Sequence, residues 1–227
     1  MTLRRILVIC LLLGAGILGW LNWRDVSMRR QLRELPGPAI IKQPVNFTNR
    51  TFVPGSPPPD MPPLNPGENA ECASDFISSA DLAGKTRRTD ATHGTVTITG
   101  IKMDLQLHIT VWVPTDVTEH VIDHEAGHRQ ISEYYYRTAD KLAEQIASNY
   151  MGKEIEIAGT DLNAESTKAL QQMAAEITEE YNRKLNTEPT QLLYDTITDH
   201  SRNGVLAEEA VDHALKNVRV ESTRPES

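Results

Sequence analysis

Ten of the chain's 13 prolines fall between residues 35 and 70, and they include the run PGSPPPDMPP. Proline locks φ and removes the backbone donor, so a stretch this rich in it is expected to form neither a core helix nor a core strand. The spacing predicts an extended, semi-rigid stalk, which divides the 227-residue chain into a short N-terminal part and a body beginning near residue 71. A body of that length is enough for one domain with a modest core, and aromatic residues make up only 5% of the chain.

The N-terminal part carries 18 uncharged residues, 6–23, between Arg4-Arg5 and Arg24, with Trp20 and Trp23 at its end. That length and those flanks predict a transmembrane signal anchor, residues 1–5 being a short basic tail and 24–70 a basic juxtamembrane and proline-rich stalk. The expectation is a single-pass protein of an inner membrane, with residues 71–220 as an extracytoplasmic, periplasmic domain and 221–227 as a disordered tail. Residues 71–227 hold 15 Lys and Arg against 27 Asp and Glu, and so acidic a body argues against nucleic acid as a partner. Cys10 and Cys72 are too few and too separately placed for a disulfide framework. Asn46 and Asn49 begin glycosylation sequons, and oligomeric state is not legible.

Within the body, GTVTITG (94–100) and MDLQLHITVWV (103–113) alternate apolar and polar residues, which predicts a hairpin turning about Gly100. Leu105, Leu107, Ile109, Val111 and Val113 form its inner face, with His108 opposite. Asp116 and Glu119 have the spacing of a capping box and predict a long helix over 116–150. KEIEIAG suggests a short strand. A second helix is expected over 163–185, with Leu170, Met173, Ile177, Tyr181 and Leu185 along one side. Pro189 should break the chain, leaving TQLLYDTITDHSRNG as a turn-rich connection to a last helix over 205–218, with Leu206, Ala210, Ala214 and Leu215 inward.

The long helix contains His124-Glu125-Ala126-Gly127-His128. Residues i and i+4 stand on one helical face, so His124 and His128 can each offer a ring nitrogen to one ion. Glu125 is turned about 100° away, beside the ion, in position to act as a general base on water. Gly127 lowers helix propensity by roughly 1 kcal/mol against Ala, so a close approach of neighbouring backbone to the site is expected there. His120 lies about 12 Å from His128 along the axis, too far to share an ion. A catalytic zinc needs a third protein ligand. Glu176, Glu179 and Glu180 on the second helix are candidates, and His200, closing the polar segment YDTITDH, is a better one. Tyr134, Tyr135 and Tyr136 are read as packing.

H-E-x-G-H followed some 70 residues later by Tyr-Asp-x-x-Thr-x-His resembles the DUF922 family of predicted secreted zinc-dependent proteases of bacteria. The matching residues are 124–128 and Tyr194, Asp195, Thr198 and His200, and the resemblance spans about residues 92–218. Members tend to have Gly directly after the last His, where this chain has Ser201. The resemblance implies His200 as third zinc ligand, with Asp195 or Asp199 as competing oxygen ligands. It implies an α+β, zincin-like domain: a short antiparallel sheet packed on the long HExxH helix, with two further helices. The expected activity is that of a zinc-dependent, membrane-tethered endopeptidase acting on a peptide or protein substrate. Glu125 would be the base and Tyr194 the donor to the tetrahedral oxyanion. Asp123, Asp195 or Asp199 would orient the ligating imidazoles. The alternatives are a non-catalytic envelope protein with a structural zinc and a metal-free interaction domain.

Overall fold

The computed structural model describes residues 37–64 and 67–222, which form a mixed α/β fold around one five-stranded sheet. The strands are β1 (Ala39–Lys42), β2 (Asn46–Phe52), β3 (Glu71–Arg88), β4 (His93–Pro114) and β5 (Glu154–Ala158). The helices are α1 (Glu119–Arg137), α2 (Ala139–Tyr150), α3 (Leu162–Lys184), α4 (Glu188–Thr198) and α5 (Ala207–Ser222). β4 is the hub, because β1, β2, β3 and β5 all pair with it.

The sheet departs from the expected short antiparallel one. β5 pairs with β4 antiparallel, Ile155 opposite Val96, whereas β2 pairs with β4 parallel, Asn46 opposite His108 through Phe52 opposite Pro114. β4 runs 22 residues without turning at Gly100. The buried side of β4 shifts there, since Gly100 and Ile101 are both buried, and alternation then resumes through Met103, Leu105, Leu107, Ile109 and Val111. At the far end Trp112 is buried in place of Val113 and packs with Phe52 and Met61.

The proline-rich segment is not stalk throughout. AIIK and NFTNRTF are proline-free windows between Pro38, Pro44 and Pro54, and both are strands. Proline excludes a residue from a ladder but does not exclude the residues between prolines. The expected membrane placement is also corrected. Among the described residues no helix is long and apolar enough to cross a membrane, and the apolar run 6–23 lies outside them, as does the tail 223–227.

The chain divides into two compact units, and β3 and β4 contribute residues to each. The first contains Ala80–Met103 and Ala147–Ile177. Its core is Val96, Ile157 and Leu162, with Ile155, Ala169 and Leu170 packed on them. Gly84 is needed there, because a Cβ would come within 2.8 Å of Val96 Cγ2 and 3.1 Å of Leu170 Cδ2.

The second unit contains Ile40–Ser79, Asp104–Ile146 and the chain from Thr178 onward. The predicted long helix is two helices here, interrupted at Thr138. Thr118 is the N-cap of α1 and makes no side-chain cap, so the Asp116–Glu119 box is not used. Pro189, expected to break the chain, opens α4 instead. A proline in the first helical turn loses no hydrogen bond, since that amide has no intrahelical partner. A core of Ile131, Tyr194, Ala210, Val211 and Ala214 ties α1, α4 and α5 together. Leu206, expected inward, is exposed, and Val211 takes the inner position.

Candidate metal centre

Two pairs of residues at i, i+4 spacing face one another: His124 and His128 on α1, Gln191 and Asp195 on α4. His124 Nε2, His128 Nε2 and Asp195 Oδ1 form a triangle with sides of 3.2 Å between the two nitrogens, and 3.3 Å and 2.9 Å from each to the oxygen. Tetrahedral zinc with bonds of about 2.0–2.1 Å separates its donor atoms by about 3.3–3.4 Å, so the triangle has nearly the size of one face of such a site.

Gln191 decides what His128 can do. Its amide nitrogen donates to the His128 carbonyl oxygen at 3.2 Å and to Ser132 Oγ at 3.0 Å. Its Oε1 must therefore face His128 Nδ1, 2.7 Å away, and that nitrogen must carry the proton it donates. In the neutral ring, Nε2 is then a lone pair aimed at His124 Nε2 and Asp195 Oδ1. A proton on His124 Nε2 or on His128 Nε2, or a metal ion, can stand between the three atoms. His124 Nδ1 is buried without a hydrogen-bond partner, and Asp195 Oδ1 has the two imidazole nitrogens facing it.

The electrostatics follow from this geometry. Burial alone would lower the His128 pKa, but the bond to Asp195 and its charge outweigh burial and raise it above the ordinary value of 6.5. Burial lowers that of His124. Burial would raise the Asp195 carboxyl, yet the two imidazoles hold it well below the usual range. Glu125 is 5% exposed, and burial pushes its carboxyl up to about 8. His128 opposes that rise, while Glu71, Asp195 and Glu68 add to it.

Tyr194 differs from its expected role. It is fully buried, stacked on His124 with ring centroids 5.0 Å apart and edge-on to His128 at 4.8 Å. Its hydroxyl donates to the His124 carbonyl oxygen at 3.0 Å, within α1, and so is not available to an oxyanion. It is instead the platform under both imidazoles, and it explains Gly127: a Cβ there would lie 2.2 Å from the Tyr194 hydroxyl oxygen.

His200 is not in the triangle. Its Nδ1 lies 3.8 Å from Asp195 Oδ1 and 3.8 Å from Glu68 Oε1, buried with no hydrogen-bond partner. Asp199, His200 and Ser201 all have positive φ, 49°, 50° and 63°. The left-handed conformation at Ser201 is the one that favours glycine. Arg202 holds this turn through Asp199, and His120 donates to the Asn203 carbonyl oxygen at 2.9 Å. Glu179 and Glu180 stand outside the group of converging ligand atoms.

Sequence reasoning missed Gln191 entirely. A signal existed: Gln191, Tyr194, Asp195 and Thr198 lie at i, i+3, i+4 and i+7, one face of a helix starting at Pro189. A cavity of about 250 Å³ opens beside the triangle, with Glu125 and residues from the start of β3, Glu71, Cys72 and Ser74, among those lining it. Burial pushes the Cys72 thiol up to about 12, so it is an inert thiol in this wall. No protein-family model, no curated protein and no solved structure matches the chain.

Proposed function

We propose that the chain is a zinc-dependent hydrolase of peptide bonds, with His124, His128 and Asp195 as the ligand set and Glu125 as general base. The observation that carries the reading is the triangle of three converging donor atoms with a buried carboxyl beside it. Two imidazoles and a carboxylate, with a fourth position left for water, are the donor set of a catalytic zinc. Zinc bound there supplies a Lewis acid that makes water acidic near neutral pH and polarises a carbonyl. Glu125 lines the same cavity and takes the proton from the attacking water, then passes it to the departing amine. Gln191 fixes the His128 tautomer, and Tyr194 fixes the tilt of both rings. Peptide as the substrate class rests on the resemblance to the DUF922 proteases, which is carried by the H-E-x-G-H and Tyr-Asp-x-x-Thr-x-His residues.

A second reading is favoured by the buried, unpartnered His200 Nδ1 lying 3.8 Å from Asp195 Oδ1. A small movement of the 199–201 turn would make His200 a further ligand, and four protein ligands would close the site into a structural one. Glu125→Gln separates the two. For a hydrolase the variant binds one equivalent of zinc and loses activity on a quenched fluorescent peptide library by a factor of about 10² or more. Unchanged hydrolysis in that variant refutes the assignment of the base. Absence of hydrolysis in the zinc-loaded wild type favours the closed site.

A further inference from the structure

Behind the triangle a serine stands where alanine would be the better helix residue. Ser132 is fully buried on α1, one turn after His128. Serine lowers helix propensity against alanine, because its hydroxyl competes for backbone groups, and a buried hydroxyl must find partners. Ser132 has three. Its Oγ is placed to donate to Ser74 Oγ on β3 at 2.9 Å or to the His128 carbonyl oxygen at 3.2 Å, and it accepts from Gln191 Nε2 at 3.0 Å. A hydroxyl has one proton, so that proton goes to Ser74 or to the carbonyl, and a lone pair is left facing Gln191.

The direction of that bond matters because the two ends of a glutamine amide are unlike, one an acceptor and the other a donor. With Ser132 Oγ and the His128 carbonyl both accepting, the amide nitrogen is held on their side and Oε1 faces His128 Nδ1 at 2.7 Å. Turned round, the amide would bring its nitrogen to Nδ1. The neutral ring would then carry its proton on Nε2, the atom that faces His124 Nε2 and Asp195 Oδ1. We infer that Ser132 is a positioning residue for the metal centre: acting through Gln191, it keeps the His128 proton on Nδ1 and leaves Nε2 free for the ion. This role deepens the zinc reading proposed for His124, His128 and Asp195, and rests on it.

The test uses the full chain, isotope-labelled on the histidine ring nitrogens. Ser132→Ala is made beside Gln191 and again in a Gln191→Glu background. A carboxylate offers an oxygen to Nδ1 whichever way it turns, so it needs no residue to orient it. Zinc affinity is measured by competition with a chromophoric chelator, and the Nδ1 proton of His128 is followed by NMR in the zinc-loaded protein. Beside Gln191, Ser132→Ala should weaken zinc binding by about threefold or more and diminish that proton's resonance. With Gln191→Glu the same change should cost less than that and leave the resonance in place. A loss below about threefold beside Gln191, a loss of about threefold or more in both backgrounds, or a resonance that Ser132→Ala does not alter overturns the inference. Loss in both backgrounds is the mark of a hydroxyl that only supports α1. A wild type that takes up no zinc refutes the ligand set and this role with it, whereas one that binds zinc and leaves a peptide library intact fails only the hydrolytic reading.

Discussion

Replacing Gly127 with alanine puts two physical effects in opposition at one atom. In an exposed helix the substitution stabilises by about 1 kcal/mol, because alanine loses less backbone entropy on folding. Here the new Cβ would lie 2.2 Å from the Tyr194 hydroxyl oxygen, 2.4 Å from Cζ and 2.9 Å from Cε2. Tyr194 is fully buried between α1 and α4 and cannot swing into solvent. Forcing such a ring aside costs about 1–3 kcal/mol in strain. Its hydrogen bond to the His124 carbonyl oxygen is lost as well, at about 1 kcal/mol. Set against the propensity gain, the net loss is about 2 kcal/mol. At about 2–4 °C per kcal/mol for a chain of this size, the melting temperature should fall by roughly 4–8 °C. The displacement also moves Asp195, the next residue on α4, so zinc affinity, measured by competition with a chromophoric chelator, should fall by tenfold or more. Gly127→Ala combined with Tyr194→Leu should lose less than the sum of the two single losses, because the smaller side chain leaves room for the methyl. A Gly127→Ala protein that is more stable than wild type, with zinc affinity unchanged, would refute the account of why glycine stands there.

Two further outcomes are expected at the same centre. In the metal-free protein the His128 proton is held by Asp195, its pKa lying above 6.5, and zinc takes only the neutral ring. The imidazolium contributes stability that is complete below 6.5 and disappears as pH rises through the raised value. Zinc affinity should therefore increase about tenfold per pH unit near neutrality and level off above that value. A flat profile between about pH 6.5 and 8 in calorimetry would count against the shared proton. Gln191→Leu removes the acceptor that orients His128 and should weaken zinc binding by about 10–100-fold, whereas Gln191→Glu, which keeps an acceptor, should not. Equal affinity in Gln191→Leu and wild type would show that the amide has no part in setting the tautomer.

Half of the site was legible in the sequence, for a definite reason. His124, Glu125 and His128 lie on a helix whose period brings them together without help from the rest of the chain. Asp195 enters the sequence reading as a competitor of His200 and as one of three possible orienters of the imidazoles, because its segment reads as turn-rich rather than helical. Pro189 reads as a break, yet in the first turn of a helix proline costs nothing, and the helix it opens places Gln191, Tyr194 and Asp195 on one face. The expectation that Tyr194 serves the oxyanion rests on its nearness in sequence to His200. The direction of its hydroxyl depends on how α4 packs on α1, which no local pattern encodes. Gly100 looked like a turn because glycine often is one, but the alternation on both sides of it belongs to one strand. β1 and β2 were hidden by the prolines around them, since composition averaged over 36 residues says little about windows of four and seven.

Those prolines have a consequence for the protein among its neighbours. β2 pairs with β4 on one side and ends the strand order of the sheet, so its backbone is the kind of template onto which another molecule could add a strand. Pro44 and Pro54 bracket it, and neither can donate to an incoming ladder. Phe47, the one exposed aromatic along it, is capped by the Arg129 guanidinium at 4.2 Å. The edge along β2 is thereby limited to seven residues and topped with charge, which leaves an incoming strand little ladder to join.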